Sequence, residues 1–132
     1  MIASYQLPNY WTWKVFLCVV DDSDSCSGSD IAELYKRNHS IDFTEVAAPP
    51  PCCLIDDESM CAVICLKGCS RDNYHVGLIA HELMHLMIAI SASTNCEMSN
   101  HTTECWAYTL ESFMETILDI LEEKEKERPA CS

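Results

Sequence analysis

Basic residues are scarce in this chain. Eight Lys and Arg face 21 Asp and Glu, giving a formal charge of −13 at pH 7 and a pI near 4.5. Such a surface repels phosphate backbones and anionic bilayers, which argues against nucleic acid and membrane surfaces as partners. A basic leader is also lacking. Met1 to Tyr10 carries no Lys or Arg, and the apolar stretch from Trp11 to Val20 is interrupted by Lys14, with no small-residue cleavage site behind it. No run is expected to reach the roughly 20 apolar residues of a membrane helix. Paired C-x-x-C spacings are missing too: Cys52 and Cys53 are adjacent, and Cys61, Cys65 and Cys69 are four apart. That leaves a zinc ribbon or a thioredoxin-like redox motif without support. There is no internal repeat, and no low-complexity segment beyond Pro49 to Pro51.

What is present is ordinary globular material, 48% hydrophobic and 22% charged over 132 residues. That length suits one domain and is too short for two independent ones, so residues 1–132 are expected to form a single unit. Ten cysteines would suit a secreted disulfide scaffold. Without an export signal the expectation is instead a cytoplasmic protein with reduced thiols, most of them small buried hydrophobes. In that setting the sequons at Asn38 and Asn100 carry little weight.

Hydrophobic periodicity predicts an α+β fold. Trp11 to Val20 reads as a strand closed by the turn-forming Asp21-Asp22-Ser23-Asp24. A short helix capped by Ser29 or Asp30 should run to about Asn38, with Ile31, Leu34 and Tyr35 on one face and His39 in the polar loop beyond. The triple proline marks a loop or edge connection. Two short strands follow, near Cys53 to Ile55 and Met60 to Leu66, the second apolar throughout as a strand covered on both faces would be. From about Asp72 to Ala92 the spacing turns helical. A last helix from about Asn100 to Lys126 bears an apolar stripe, with Glu104, Tyr108, Glu111 and Glu115 along its margin. The charged stretch 122–132 should be a fraying end.

The first long helix carries His81-Glu82-Leu83-Met84-His85, an H-E-x-x-H sequence. Residues four apart lie one turn above each other, so both imidazoles can converge on one ion while Glu82 sits beside it. Zinc hydrolysis needs that arrangement. Two neutral imidazoles and a third protein ligand hold Zn²⁺, water takes the fourth position with its pKa lowered to about 7, and a neighbouring carboxylate accepts the proton. The third ligand must come from elsewhere. The H-E-x-x-H-x-x-G-x-x-H pattern is excluded because Ile88 and Ser91 occupy the later positions. Glu104 lies 19 residues after His85, behind a polar loop long enough for the chain to run back. His101 is a less favoured alternative, and His75 lies about 120° from His81 around the helix, away from the site.

In these residues the chain resembles the minimal gluzincin-like metallopeptidases, in particular small ones encoded by phages and prophages. The likeness rests on His81-Glu82-x-x-His85 and on Glu104-Cys105-Trp106-Ala107-Tyr108, similar to the E-x-x-A-Y helix of that group, and covers roughly Met60 to Ile120. It implies His81, His85 and Glu104 as zinc ligands and Glu82 as general base. It also implies a zincin-like packing of a small antiparallel or mixed sheet on the motif helix, crossed by the C-terminal helix. Tyr108, one turn after Glu104, is a candidate oxyanion donor. The expected activity is hydrolysis of a peptide or protein substrate lying extended along a sheet edge. A non-catalytic metal-stabilised module, a cysteine-rich interaction protein that binds no metal through His81, and a zinc amidase acting on cell wall are the alternatives.

Overall fold

The computed structural model describes residues 2–9, 12–21, 25–43, 49–68 and 73–126, with the backbone alone for 73–75. In chain order the elements are β1 (Ile2–Gln6), β2 (Lys14–Val20), α1 (Gly28–His39), β3 (Cys52–Asp56), β4 (Cys61–Lys67), α2 (Asn73–Thr94) and α3 (Thr103–Lys126). The four strands form one mixed sheet in the order β1-β2-β4-β3. β2 and β4 run parallel at its centre, with β1 antiparallel to β2 and β3 antiparallel to β4. The expected α+β class is what forms.

The central strands explain the architecture. Both are apolar at almost every position, Val15 to Val20 and Cys61 to Leu66 all being buried. Such a strand can be stable only with both faces covered. On one face Val15, Leu17, Val19, Ala62, Ile64 and Leu66 meet Ile79, Leu83, Leu86 and Ile90 of α2 and Phe113 and Ile117 of α3. On the other, Phe16, Cys18, Val20, Val63 and Cys65 meet Ile31 and Tyr35 of α1. The sheet therefore lies between one helix and two. Trp13, fully buried, donates from its indole Nε1 to the Ser93 hydroxyl at 2.8 Å, tying the entry of β2 to the last turn of α2.

Several boundaries differ from the sequence expectations. β1 went unread because Ile2–Gln6 alternates only weakly; it is held by its register with β2, Ile2 opposite Val20 and Gln6 opposite Phe16. The cap of α1 is Ser27, not Ser29 or Asp30. Its hydroxyl accepts from the Asp30 backbone N–H while the Asp30 carboxylate accepts from the Ser27 N–H, a reciprocal capping box. Those hydrogen bonds hold the Asp30 carboxyl below the usual carboxylate range. His39 is the last residue of α1 rather than a loop residue, with its ring 4.8 Å from Phe16 and stacked 5.4 Å from Tyr35. α3 begins at Thr103, three residues later than expected, because Thr102 and Thr103 bond back to Glu97 and Ser99 and shape a turn. Residues 127–132 of the expected frayed end lie outside the described residues, whereas 122–126 are helical. The expectation on membrane spans also needs correction: Val76–Thr94 of α2 is long and apolar enough to cross one by length and composition. In this fold that helix buries Ile79, Leu83, Leu86 and Ile90 against the sheet.

Candidate metal centre

The face that α2 turns to the sheet is set by Ile79, Leu83, Leu86 and Ile90, spaced at three and four residues. His81 and His85 fall outside that stripe and are exposed, their ring centroids 5.1 Å apart and their planes at 74°. Glu82 lies between the two faces and is only 5% exposed. A nitrogen from each imidazole and an oxygen of Glu82 all lie within 4.8 Å of one another. Among the described residues this is the one group of three or more histidine, cysteine or acidic side chains so gathered.

The donor set fits a cation. Glu82 is 5% exposed as a residue, and one of its carboxylate oxygens lies beside both imidazoles. The two neighbouring groups are imidazoles, which coordinate through nitrogen when neutral. His81, Glu82 and His85 can therefore hold a metal ion.

Glu82 also faces the sheet margin. Burial first, and then the charge of the Glu82 carboxylate, push the Cys53 thiol above its usual range. Cys53 belongs to β3, the last strand of the sheet, so the group sits where α2 passes the sheet edge. On the other flank, Met84 and Met87 share a groove of about 450 Å³ with Met98, Trp106, Ala107 and Leu110.

The other sequence candidates are not gathered with this trio. Glu104 is exposed in the first turn of α3, and α3 turns inward Trp106, Thr109, Phe113, Ile117 and Leu121. Two residues along a helix is about 200°, so Glu104 leaves α3 nearly opposite Trp106. Tyr108 lies one turn further on, 66% exposed. Glu104 therefore stands apart from the trio in this structure. His101 is exposed in the turn before α3, its backbone N–H bonded to the Ser99 hydroxyl. The side chain of His75 lies outside the described residues.

Sequence reasoning missed a row of thiols on the opposite sheet face, Cys18, Cys65 and Cys52. Alternation along β4 could place Cys61 and Cys65 on one face, but only the strand register brings Cys18 and Cys52 beside them. All eight cysteines among the described residues are free thiols. No family model, curated protein or solved structure matches the chain.

Proposed function

We propose that this chain is a zinc-dependent peptidase of the gluzincin-like kind. The observation that carries the proposal is the gathering of the His81 and His85 imidazoles with the Glu82 carboxylate on one helix, their ligand atoms within 4.8 Å of one another. His81 and His85 would hold the ion as neutral imidazoles, with Glu104 as third ligand. For that, the first turn of α3 must rotate or shift toward α2, since Glu104 stands outside the trio. Bound zinc would supply Lewis acidity and lower the pKa of water to about 7. Glu82 would accept the proton released on attack at the scissile carbonyl and return it to the leaving amine. Tyr108 would serve the oxyanion only if the same movement of α3 brought it inward.

The substrate reading rests on the sheet order. β3 ends the sheet beside α2, so an extended peptide pairing with its outer edge would run past His81 and His85. The methionine-lined groove on the other flank would accept an apolar side chain, since flexible thioethers adapt to varied shapes.

A second reading, a non-catalytic metal-binding module, is favoured by one specific observation. Glu82 already lies within reach of both histidine nitrogens, and a carboxylate that ligates the ion is no longer free to act as base. Glu82→Gln separates the two. In the peptidase, zinc stoichiometry is kept and hydrolysis of a fluorogenic peptide library falls by about 10²–10⁴, the usual contribution of a general base. In the binding module, the same change removes zinc and there is no hydrolysis to lose.

A further inference from the structure

We propose that Cys52, Cys65 and Cys18 form a peroxide-reactive thiol row in which Cys52 is oxidised first and Cys65 resolves it as a disulfide. The register places the three side by side across adjacent strands, with Cys18 of β2 opposite Cys65 of β4 and Cys65 opposite Cys52 of β3. Directly opposed residues project from the same sheet face, and all three belong to the core under α1. Opposed Cα atoms in an antiparallel pair are about 4.5–5.5 Å apart, inside the roughly 4.4–6.8 Å that a disulfide spans. The pairing of β3 with β4 thus holds Cys52 and Cys65 at bonding range without any change of fold.

Burial assigns the roles. Cys18 and Cys65 are wholly buried, while Cys52, on the outermost strand, keeps 7% exposure, so a small oxidant enters at Cys52. Electrostatics points the same way. The neighbouring Cys65 thiol draws Cys52 below the usual thiol range and so favours its thiolate. The Cys65 thiol, which donates to the Val63 carbonyl, is held well above that range by its Cys18 and Cys52 neighbours and by burial. The nucleophile is the thiolate, so Cys52 attacks and Cys65 waits.

The chemistry balances with a hydroperoxide as oxidant. The Cys52 sulfur attacks one peroxide oxygen, the O–O bond breaks, and Cys52 becomes a sulfenic acid as one water leaves with the Cys52 proton. The Cys65 sulfur then attacks the Cys52 sulfur, the S–O bond breaks, and a second water leaves with the Cys65 proton. Two thiols lose two electrons and one hydrogen peroxide becomes two waters. Cys18 lies across Cys65 from Cys52 in the strand order. It can attack the Cys65 sulfur and release Cys52 as a thiol, passing the disulfide inward with no further oxidant. The result is a covalent tie from the edge strand to the sheet centre, independent of whether His81 and His85 hold zinc.

The test uses the full chain. Reduced protein is treated with one equivalent of hydrogen peroxide, unreacted thiols are alkylated in denaturant, and the peptides are mapped by mass spectrometry. The expected main product is a disulfide joining Cys65 to Cys52 or to Cys18. In Cys65→Ser that disulfide is lost, and dimedone traps a sulfenic acid at Cys52. The proposal is overturned if the row is recovered fully alkylated while exposed Cys105 or another thiol carries the oxidation. It is equally overturned if Cys52 proceeds to sulfinic acid in the wild type with Cys65 still free. Should Cys65→Ser not fold, the wild-type map decides alone.

Discussion

Zinc should stabilise the fold, and His85→Ala should remove that gain. His81 and His85 present nitrogens within 4.8 Å of each other and of a Glu82 oxygen, so the native fold gathers donors that the unfolded chain does not. An ion bound by the native state alone stabilises it by about 2.7 kcal/mol at 100 times its dissociation constant. For a chain of this length 1 kcal/mol corresponds to roughly 2–5 °C in Tm. Calorimetric melts of the wild type should therefore rise by about 5–14 °C between chelator and saturating zinc. His85 is exposed on α2, so His85→Ala should melt within about 0.5 kcal/mol of the wild type in chelator and gain little from zinc. If zinc leaves the wild-type melt unmoved, or raises His85→Ala as far, the trio does not hold the ion.

Three further outcomes are expected. Glu104→Ala should cost far more zinc affinity by competition titration than the roughly 10–100-fold typical of residues that only support a ligand, while His101→Ala leaves affinity nearly intact; equal affinities for Glu104→Ala and wild type would leave Glu82 as the third ligand. Zinc affinity should fall in acid, because protons compete for the imidazole nitrogens that bind metal, and a flat pH profile in isothermal titration would exclude histidine ligation. Trp13→Ala should destabilise by about 3–5 kcal/mol in urea melts, since it empties a fully buried site and leaves Ser93 without its donor; a loss under 1 kcal/mol would mean that α2 and β2 do not depend on this joint.

The elements that could be read directly were those whose pattern is complete within one segment. β4 announces itself because Cys61 to Leu66 is apolar without interruption, and α2 because its burial repeats at three and four residues. The His81, Glu82 and His85 group follows from helical geometry alone, which is why four residues of spacing sufficed. What failed depends on distant partners. β1 gains its place only from β2, and the Ser27 cap only from where α1 begins. The orientation of Glu104 depends on such partners too. Glu104 was placed at the edge of the α3 stripe, where a shift of one residue in phase separates a seam position from an outward one. The burial of Trp106 and Phe113 sets that phase and turns Glu104 outward.

The parallel pairing of β2 with β4 has a kinetic consequence. Some 47 residues separate Val20 from its β4 partner Lys67, and that pairing forms the centre of the sheet. At synthesis rates of about 5–20 residues per second, β2 waits roughly 2–10 s after emerging before the strand that buries its inner edge exists. Through that interval Lys14-Val15-Phe16-Leu17-Cys18-Val19-Val20 has at most β1 beside it, with apolar side chains on both faces and one edge open. Such a segment is prone to join another copy of itself. The yield of folded protein should thus depend on how crowded the nascent chains are, falling at high expression and recovering when translation is slowed relative to capture by a chaperone.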